Sequence, residues 1–493
     1  MTKDLITTLI DEIGPGHMGS TAYDTAWAAR LGDVDWNLSR RSLAWLAENQ
    51  LPDGSWGAPA PMYYHDRVLC TLAAMVALTY EGRRGQDKVQ IERGRLALER
   101  IVGGATQGLQ SDPNGATVGF EMIAPTLAAE AERLGIIKRQ GDRILGRLSK
   151  ARAKKLSYLK DNMISKQVTI AFSAEMAGSD GKHMLDIRNL QENNGSVGLS
   201  PSATAYFATY IKKGDEASLK YLKGIVKPDG GLPNVAPFDI FEIAWSLWNL
   251  GMIPGLEVTA KLKPHIDFLS KAWIPRHGVG FAKDYSVKDS DDSVITYSAL
   301  LRFGIEKDLA SMLAYEEKDH FRCFDLEVNP SISANIHILH ALRETGLSQK
   351  NSSVQKIISF LRRTRNDRNF WVDKWHSSAY YPTAHAIIAC AGFENDLVKD
   401  SVAWLLDSQN ASGSWGTYIP TAEETAYALQ ALCVWNEKGG RIPKAVIRNG
   451  ARWLGEHLDP PYPPLWIGKC LYNPRLVIRS AVISALALAQ QIL

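Results

Sequence analysis

Cysteine is scarce in this 493-residue chain, with only Cys70, Cys323, Cys390, Cys433 and Cys470. Their odd number and wide scatter leave no CxxC pair and no Cys/His metal spacing. That excludes a disulfide framework and a structural zinc site, and it leads to the expectation of a reducing, cytoplasmic compartment. Long apolar runs are also missing. No uncharged stretch reaches the roughly 18 residues of a membrane-spanning helix, so no transmembrane segment is expected. The N-terminal MTKDLITTLIDEIG has acids inside its apolar run and no small-residue cleavage pattern, which reads as an amphipathic helix rather than a signal peptide. Charge of one sign is lacking overall: 56 basic against 53 acidic residues give +3. A nucleic-acid partner is therefore not indicated. Period-two alternation is nearly absent, so strands are not expected to organise the fold.

What remains is a chain with 45% apolar and 22% charged residues, ordinary for a globular protein and long enough for two or three domains. It repeats itself. SLAWLAENQLPDGSWG (42–57) and VAWLLDSQNASGSWG (402–416) share Ala-Trp-Leu, then Gln, then Gly-Ser-Trp-Gly. Gln50 and Gln409 lie 359 positions apart, and so do Trp56 and Trp415. Weaker echoes run through 221–233, 268–282, 360–371 and 451–466. Each is a helix end running into a Gly/Pro turn with an aromatic. Helical patterns such as IFEIAWSLWNLG lie between them. A helix, a turn and a helix recurring at intervals of this kind predict stacked helical hairpins, closed into α/α barrels.

One stretch is electrostatically costly. Residues 289–292 read Asp289-Ser290-Asp291-Asp292, directly before a helical pattern. Carboxylates this close cannot all ionise freely, so one tends to keep its proton. In a dry apolar pocket such a group is a Brønsted acid strong enough to be directed at an alkene. The competing reading is an acidic helix cap. A second departure is basic: residues 138–166 carry ten Lys or Arg against Asp142 and Asp161. It reads either as a solvated helix face or as attraction for an anionic substrate.

Together these motifs resemble the class II diterpene cyclases. The Gln…Gly-x-Trp turns are similar to the QW motifs of terpene cyclases, STAYDTAW (20–27) to their SAYDTAW signature, and Asp289–Asp292 to their DxDD motif. GGLPNVAPFDIFEIAW (230–245), DKWHSSAYY (373–381) and PPLWIGKCLY (463–472) match as well, so the resemblance covers essentially the whole chain. It implies an all-α fold of two α/α barrels, β and γ, with γ inserted after the first helix of β. On that pattern residues 1–30 hold the first β helix, 31–224 the γ barrel, and 225–493 the β barrel with the DxDD.

The resemblance also implies roles. Asp291 delivers a proton to a terminal double bond, held and oriented by Asp289 and Asp292. His337 matches the position that hydrogen-bonds this acid. Aromatic faces must stabilise the cation without trapping it; the candidates include Trp245, Trp375, Tyr381 and Trp466. Lys155, Lys374 and Lys469 match lysines that hold the diphosphate. Asn234 matches one half of a water-holding pair that quenches the cation in copalyl synthases, but Phe172 stands where the partner histidine belongs. That departure favours a rearranged product of halimadienyl or kolavenyl type over an unrearranged one. The acidic motif associated with Mg²⁺ is reduced to Asp112 in LQSDPNGATVGFE, so Mg²⁺ is expected to travel with the diphosphate rather than in a protein site, and metal ligands stay unassigned. No DDxxD is present, so the chain should stop at a cyclised diphosphate and pass it to a class I synthase or a phosphatase.

The implied substrate is geranylgeranyl diphosphate. Farnesyl diphosphate, giving a drimenyl product, is the near alternative. From other classes, a glycosidase would draw its two carboxylates from distant segments, and a non-catalytic α/α-toroid binding module would leave the DxDD unexplained.

Overall fold

The computed structural model describes residues 2–111, 116–138 and 152–493. Among these, helices dominate and the strands amount to two short antiparallel pairs, Ser20–Thr21 with Leu232–Pro233 and Trp466–Ile467 with Leu471–Tyr472. Short polar side chains start several helices. Asp289, Ser331 and Thr421 each accept from the backbone N–H three residues on, opening Ser290–Arg302, Ile332–Glu344 and Ala422–Glu437.

Six of the described helices contact one another in a closed cycle. They are Asp239–Gly251, Ser290–Arg302, Ile332–Glu344, Tyr380–Cys390, Ala422–Glu437 and Arg475–Ile492, the last returning to the first. Outer helices lean on this ring, among them Thr2–Glu12 on Arg475–Ile492 and Ser352–Thr364 on Ile332–Glu344. Arg475–Ile492 is long and apolar enough to cross a membrane, but it is an inner member of the ring with most of its length buried. A second cycle joins Ala22–Ala29, Tyr64–Glu81, Phe120–Arg133, the 3₁₀ segment Thr169–Ala177 and Pro201–Tyr206.

The apolar core divides in the same way. Leu9, Ile10, Ile13 and Met18 join the residues from Val235 onward, while Ala22 through Leu232 fill the other core. Residues 1–30 divide between these two cores: Leu9 to Met18 pack in the first and Ala22 to Ala29 in the second. Every residue of the helix Ala22–Ala29 is buried. A helix buried on all sides must be enclosed and its polar Asp24 and Thr25 bonded inside, and it is enclosed by Trp36–Glu48, Tyr64–Glu81 and Pro201–Tyr206. Two residues cross over, Leu199 into the first core and Cys470 into the second.

One device recurs around both rings. The backbone N–H of the turn residue is accepted by a short polar side chain of the following inner helix. Trp56 pairs with Thr71 and Trp415 with Thr425, both at 3.0 Å. The same bond joins Trp371 to Thr383, Val197 to Thr204, Leu232 to Thr25, Val279 to Ser293 and Phe321 to Asn335. The indole N–H of Trp56, Trp371 or Trp415 reaches back to the carbonyl of Leu46, Leu361 or Leu405, ten residues earlier. In the two strongest repeats the glutamine clamps two carbonyls, Gln50 those of Gly54 and Gln90, Gln409 those of Gly413 and Val446. Each of these indoles is fully buried, a burial that contributes roughly 2–3 kcal/mol.

Candidate active site

The inner helices of the larger ring bring their opening turns to one end, and the acidic tetrad opens one of them. Asp289 is the cap, accepting from Asp292 N–H at 2.7 Å. Burial raises its carboxyl to about 7, and the charge of Asp291 adds to this against the stabilising Asp292 contacts. Asp292 is pushed well above the usual carboxylate range by burial and by the charges of Asp289 and Asp291, and its Oδ1 has no partner. Asp291 is turned elsewhere. Its Oδ1 lies 2.6 Å from Nδ1 of His337 on the adjacent inner helix. Its side chain keeps 14% exposure against 1% for His337. The arrangement is a carboxyl with one oxygen held and the other free, between two carboxyls that resist ionisation.

The wall around His337 is aromatic. Trp245 meets it edge-on at 5.0 Å, and Tyr381 lies at 6.3 Å. Trp466 packs on Trp245 at 5.6 Å and on Tyr381 at 5.0 Å. The structure therefore brings Trp245, Tyr381 and Trp466 together with the tetrad and His337. Trp375 is placed apart, half-buried beside Phe324 at 6.1 Å.

The sequence motifs resolve into parts. Asp373 of DKW accepts from the backbone N–H groups of Ile332 and Ser333 at 2.7 and 3.1 Å, fixing the start of the helix that carries His337. Lys374 pairs with Glu327 and donates to the Asn329 carbonyl at 2.8 Å. Lys155 pairs with Glu121, and its side chain is 42% exposed. Arg139, Arg143, Arg147 and Lys150 of the basic stretch lie outside the described residues. Lys469 is fully buried between the barrels and donates to Glu175, Ser200 and Ser202 at 2.6, 2.7 and 2.7 Å. An ammonium has three donors, so all of them are used inside the chain.

Phe172 lies against that lysine, and Asn234 lies beside the neighbouring Gly468. Asn234 is 1% exposed and donates to Asp24 Oδ2 at 2.9 Å. The Phe172 ring lies 4.6 Å from Lys469 Nζ. Asp24, from the STAYDTAW stretch, also accepts from Thr21 at 2.8 Å and from the Ser202 N–H at 3.1 Å. Burial raises its carboxyl, with Lys469 opposing. Tyr23 donates to Glu175 at 2.9 Å. The signature is thus a tie between the two cores. Gly468 lets the hairpin approach: a β-carbon there would lie 2.0 Å from Asn234 Oδ1.

Among the described residues, the clustered donors do not suit a resident Mg²⁺. Among the described residues, the set with three potential ligand atoms in mutual reach is Asp66, Cys70 and Cys470. Two buried thiols do not suit a hard oxygen-seeking cation. Burial pushes the Cys70 thiol up, and both Asp66 oxygens already accept backbone N–H bonds. Asp112 lies outside the described residues.

Sequence reasoning missed His385, His376 and Glu423. His385 Nδ1 lies 2.9 Å from His337 Nε2. Glu423 accepts from Trp466 Nε1 at 2.7 Å and Tyr427 at 3.0 Å, with His376 at 3.2 Å. The available signal was a polar residue at the opening of an apolar inner helix, as in YYPTAHAIIAC and TAEETAYAL.

The geometry agrees with comparison to known proteins. Residues 319–457 match the squalene-hopene cyclase C-terminal domain family. A type B diterpene cyclase of Mycobacterium tuberculosis is 45% identical, over 98% of this chain and 98% of its own. An ent-copalyl diphosphate synthase of a Streptomyces species is 30% identical over 98% and 95%. Among solved structures, the ent-copalyl diphosphate synthase of Streptomyces platensis superposes with a TM-score of 0.79 at 28% identity, covering 99% of both chains. With an acidic tetrad on an aromatic wall, two α/α barrels and relatives of this length and identity, the chain belongs to the class II diterpene cyclases.

Proposed function

We propose that this enzyme cyclises geranylgeranyl diphosphate to a rearranged bicyclic diterpenyl diphosphate of halimadienyl or kolavenyl type. The observation that carries this reading is the contact of Asp291 with His337 beside Trp245 and Tyr381. The Asp291 O–H breaks and a C–H bond forms at the terminal alkene, leaving a tertiary cation and an aspartate. The hydrogen bond from His337 stabilises that aspartate and so strengthens the acid. Ring closure follows as internal double bonds attack the cation. Trp245, Tyr381 and Trp466 supply π faces that attract the cation but form no bond with it.

The diphosphate is retained, because bond-making begins at the other end of the substrate. On this reading Lys155 and Lys374 hold it, exchanging Glu121 and Glu327 for phosphate oxygens. Mg²⁺ enters on the substrate. The environment of Asn234 supports the rearranged product. Its amide is engaged with Asp24, and Phe172, at the position of the missing partner histidine, has no lone pair to take a proton. The cation then survives long enough for hydride and methyl shifts. A downstream class I synthase or phosphatase would consume the product.

The test is incubation with geranylgeranyl and farnesyl diphosphate, dephosphorylation, and product analysis. A rearranged bicyclic C20 alcohol supports the reading. A copalyl-type alcohol refutes the rearrangement, and product from farnesyl diphosphate alone refutes the chain length.

A further inference from the structure

His385 touches the acid's partner rather than the acid. It sits in the inner helix Tyr380–Cys390, 2% exposed, with Nδ1 2.9 Å from His337 Nε2. His337 Nδ1 in turn lies 2.6 Å from Asp291 Oδ1. Three side chains from three successive inner helices thus form one line. A neutral imidazole carries a single N–H, and the bond at one nitrogen decides what the other can do.

With Asp291 carrying its proton and both imidazoles neutral, two arrangements of protons satisfy these distances, and they differ in consequence. In the first, His337 donates from Nδ1 to Asp291 Oδ1, so the acid's own proton sits on Oδ2, facing away from His337. His337 Nε2 is then bare and accepts from His385 Nδ1–H. The chain ends at His385 Nε2 as a bare acceptor. In the second, every bond is reversed: Asp291 donates its proton to His337 Nδ1, and the chain ends in a His385 Nε2–H. His385 Nε2 is buried without a partner. An N–H left unpaired among apolar groups is the rarer and more costly ending. The first arrangement is favoured, and it is the one that leaves a proton free to transfer.

We propose that His385 is a positioning residue of the proton donor, whose Nδ1–H holds His337 in the tautomer that keeps the Asp291 proton on its free oxygen. This rests on Asp291 being the acid. The surroundings keep His385 neutral. It faces His337 and His340 from one helix, His376 from the preceding loop and Tyr427 from the next helix. Tyr381 on its own helix and Trp245 and Trp248 complete the shell. Burial first, then the neighbouring imidazoles, hold its pKa well below the usual histidine value.

The experiment uses the full chain and geranylgeranyl diphosphate, reading kcat and KM. His385→Asn keeps an N–H donor near the Nδ1 position and should hold kcat within about threefold, whereas His385→Leu removes the donor and should lower kcat about tenfold or more at unchanged KM. A cycle with His337→Asn separates this role from packing. The Asn amide donates directly and has no tautomer to set, so adding His385→Leu there should change kcat by less than about twofold. The proposal is overturned by a His385→Leu enzyme with wild-type kcat, by equal losses in the Leu and Asn variants, or by a full loss repeated on His337→Asn. None of these outcomes touches the acid assignment, which fails separately if Asp291→Asn keeps its turnover. If His385→Leu does not fold, His385→Phe preserves the ring shape without either nitrogen and is read in the same way.

Discussion

Asp289 and Asp292 are bonded to each other. Asp289 Oδ1 accepts the Asp292 N–H at 2.7 Å, and both carboxyls are buried. Asp291, between them in sequence, is left to meet His337. Burial, helped by the charge of Asp291, raises Asp289 to about 7, and burial with the charges of Asp289 and Asp291 pushes Asp292 well above the usual carboxylate range. A raised carboxyl binds its proton more tightly in the folded state. Its stabilising contribution is complete below the unfolded value near pH 4 and is lost as pH rises through the folded one. The melting temperature should therefore fall from pH 5 to pH 8. Asp292→Asn, which cannot ionise, should flatten that slope and melt higher than wild type at pH 8. The same slope in wild type and variant would contradict this origin.

The two exposed-side lysines give a kinetic prediction. Lys155→Ala and Lys374→Ala should raise KM for the diphosphate, each removing a charge-assisted contact of about 1.5–3 kcal/mol, roughly a ten- to hundredfold change. The value of kcat should move less. Unchanged KM in both variants would place the diphosphate elsewhere. Lys469→Ala should instead lower the melting temperature, since it strips a fully buried charge from Glu175.

The clamping glutamines bear on stability alone. Gln409→Leu leaves the Gly413 and Val446 carbonyls without their side-chain partner. It should destabilise by about 1–3 kcal/mol in urea unfolding, while product identity stays as in wild type. A variant as stable as wild type would show that water replaces the clamp.

The architecture is legible in the sequence where one residue type performs one task. Gln50, Gln409, Trp56 and Trp415 announce their turns because glutamine and tryptophan both act there. The same bond at Val279 and Phe321 uses Ser293 and Asn335 under non-tryptophan residues, so the first turn reads only as an echo and the second gives no signal. The tetrad stands out because clustered charge needs a reason. His385 does not, because one histidine in an apolar helix is indistinguishable from core until its neighbour is known. The PPLWIGKCLY match marks Lys469 as a diphosphate ligand, but nothing near it in sequence shows that its three donors are engaged inside the chain. Its internal partners, Glu175, Ser200 and Ser202, lie more than 260 positions away. The core that Ala22–Ala29 joins is not legible in the sequence, because a helix buried on every side has no solvent-facing stripe to show what encloses it.

Phe172 offers a product-level test. Phe172→His would put a lone pair beside Lys469, and on the proposed reading that base or a water it holds takes a proton from the cation. Part of the product should shift from the rearranged skeleton to an unrearranged labdane. An unchanged product ratio in an active variant would mean that Phe172 does not shape the quench.

Asp291→Asn separates a proton donor from a structural carboxylate, because shape and hydrogen bonding persist while the transferable proton is removed. The measurement is kcat on geranylgeranyl diphosphate, alongside the melting temperature. Turnover should fall by about three orders of magnitude or more, with a melting temperature close to wild type. A folded Asp291→Asn enzyme cyclising at a near-normal rate would contradict the account.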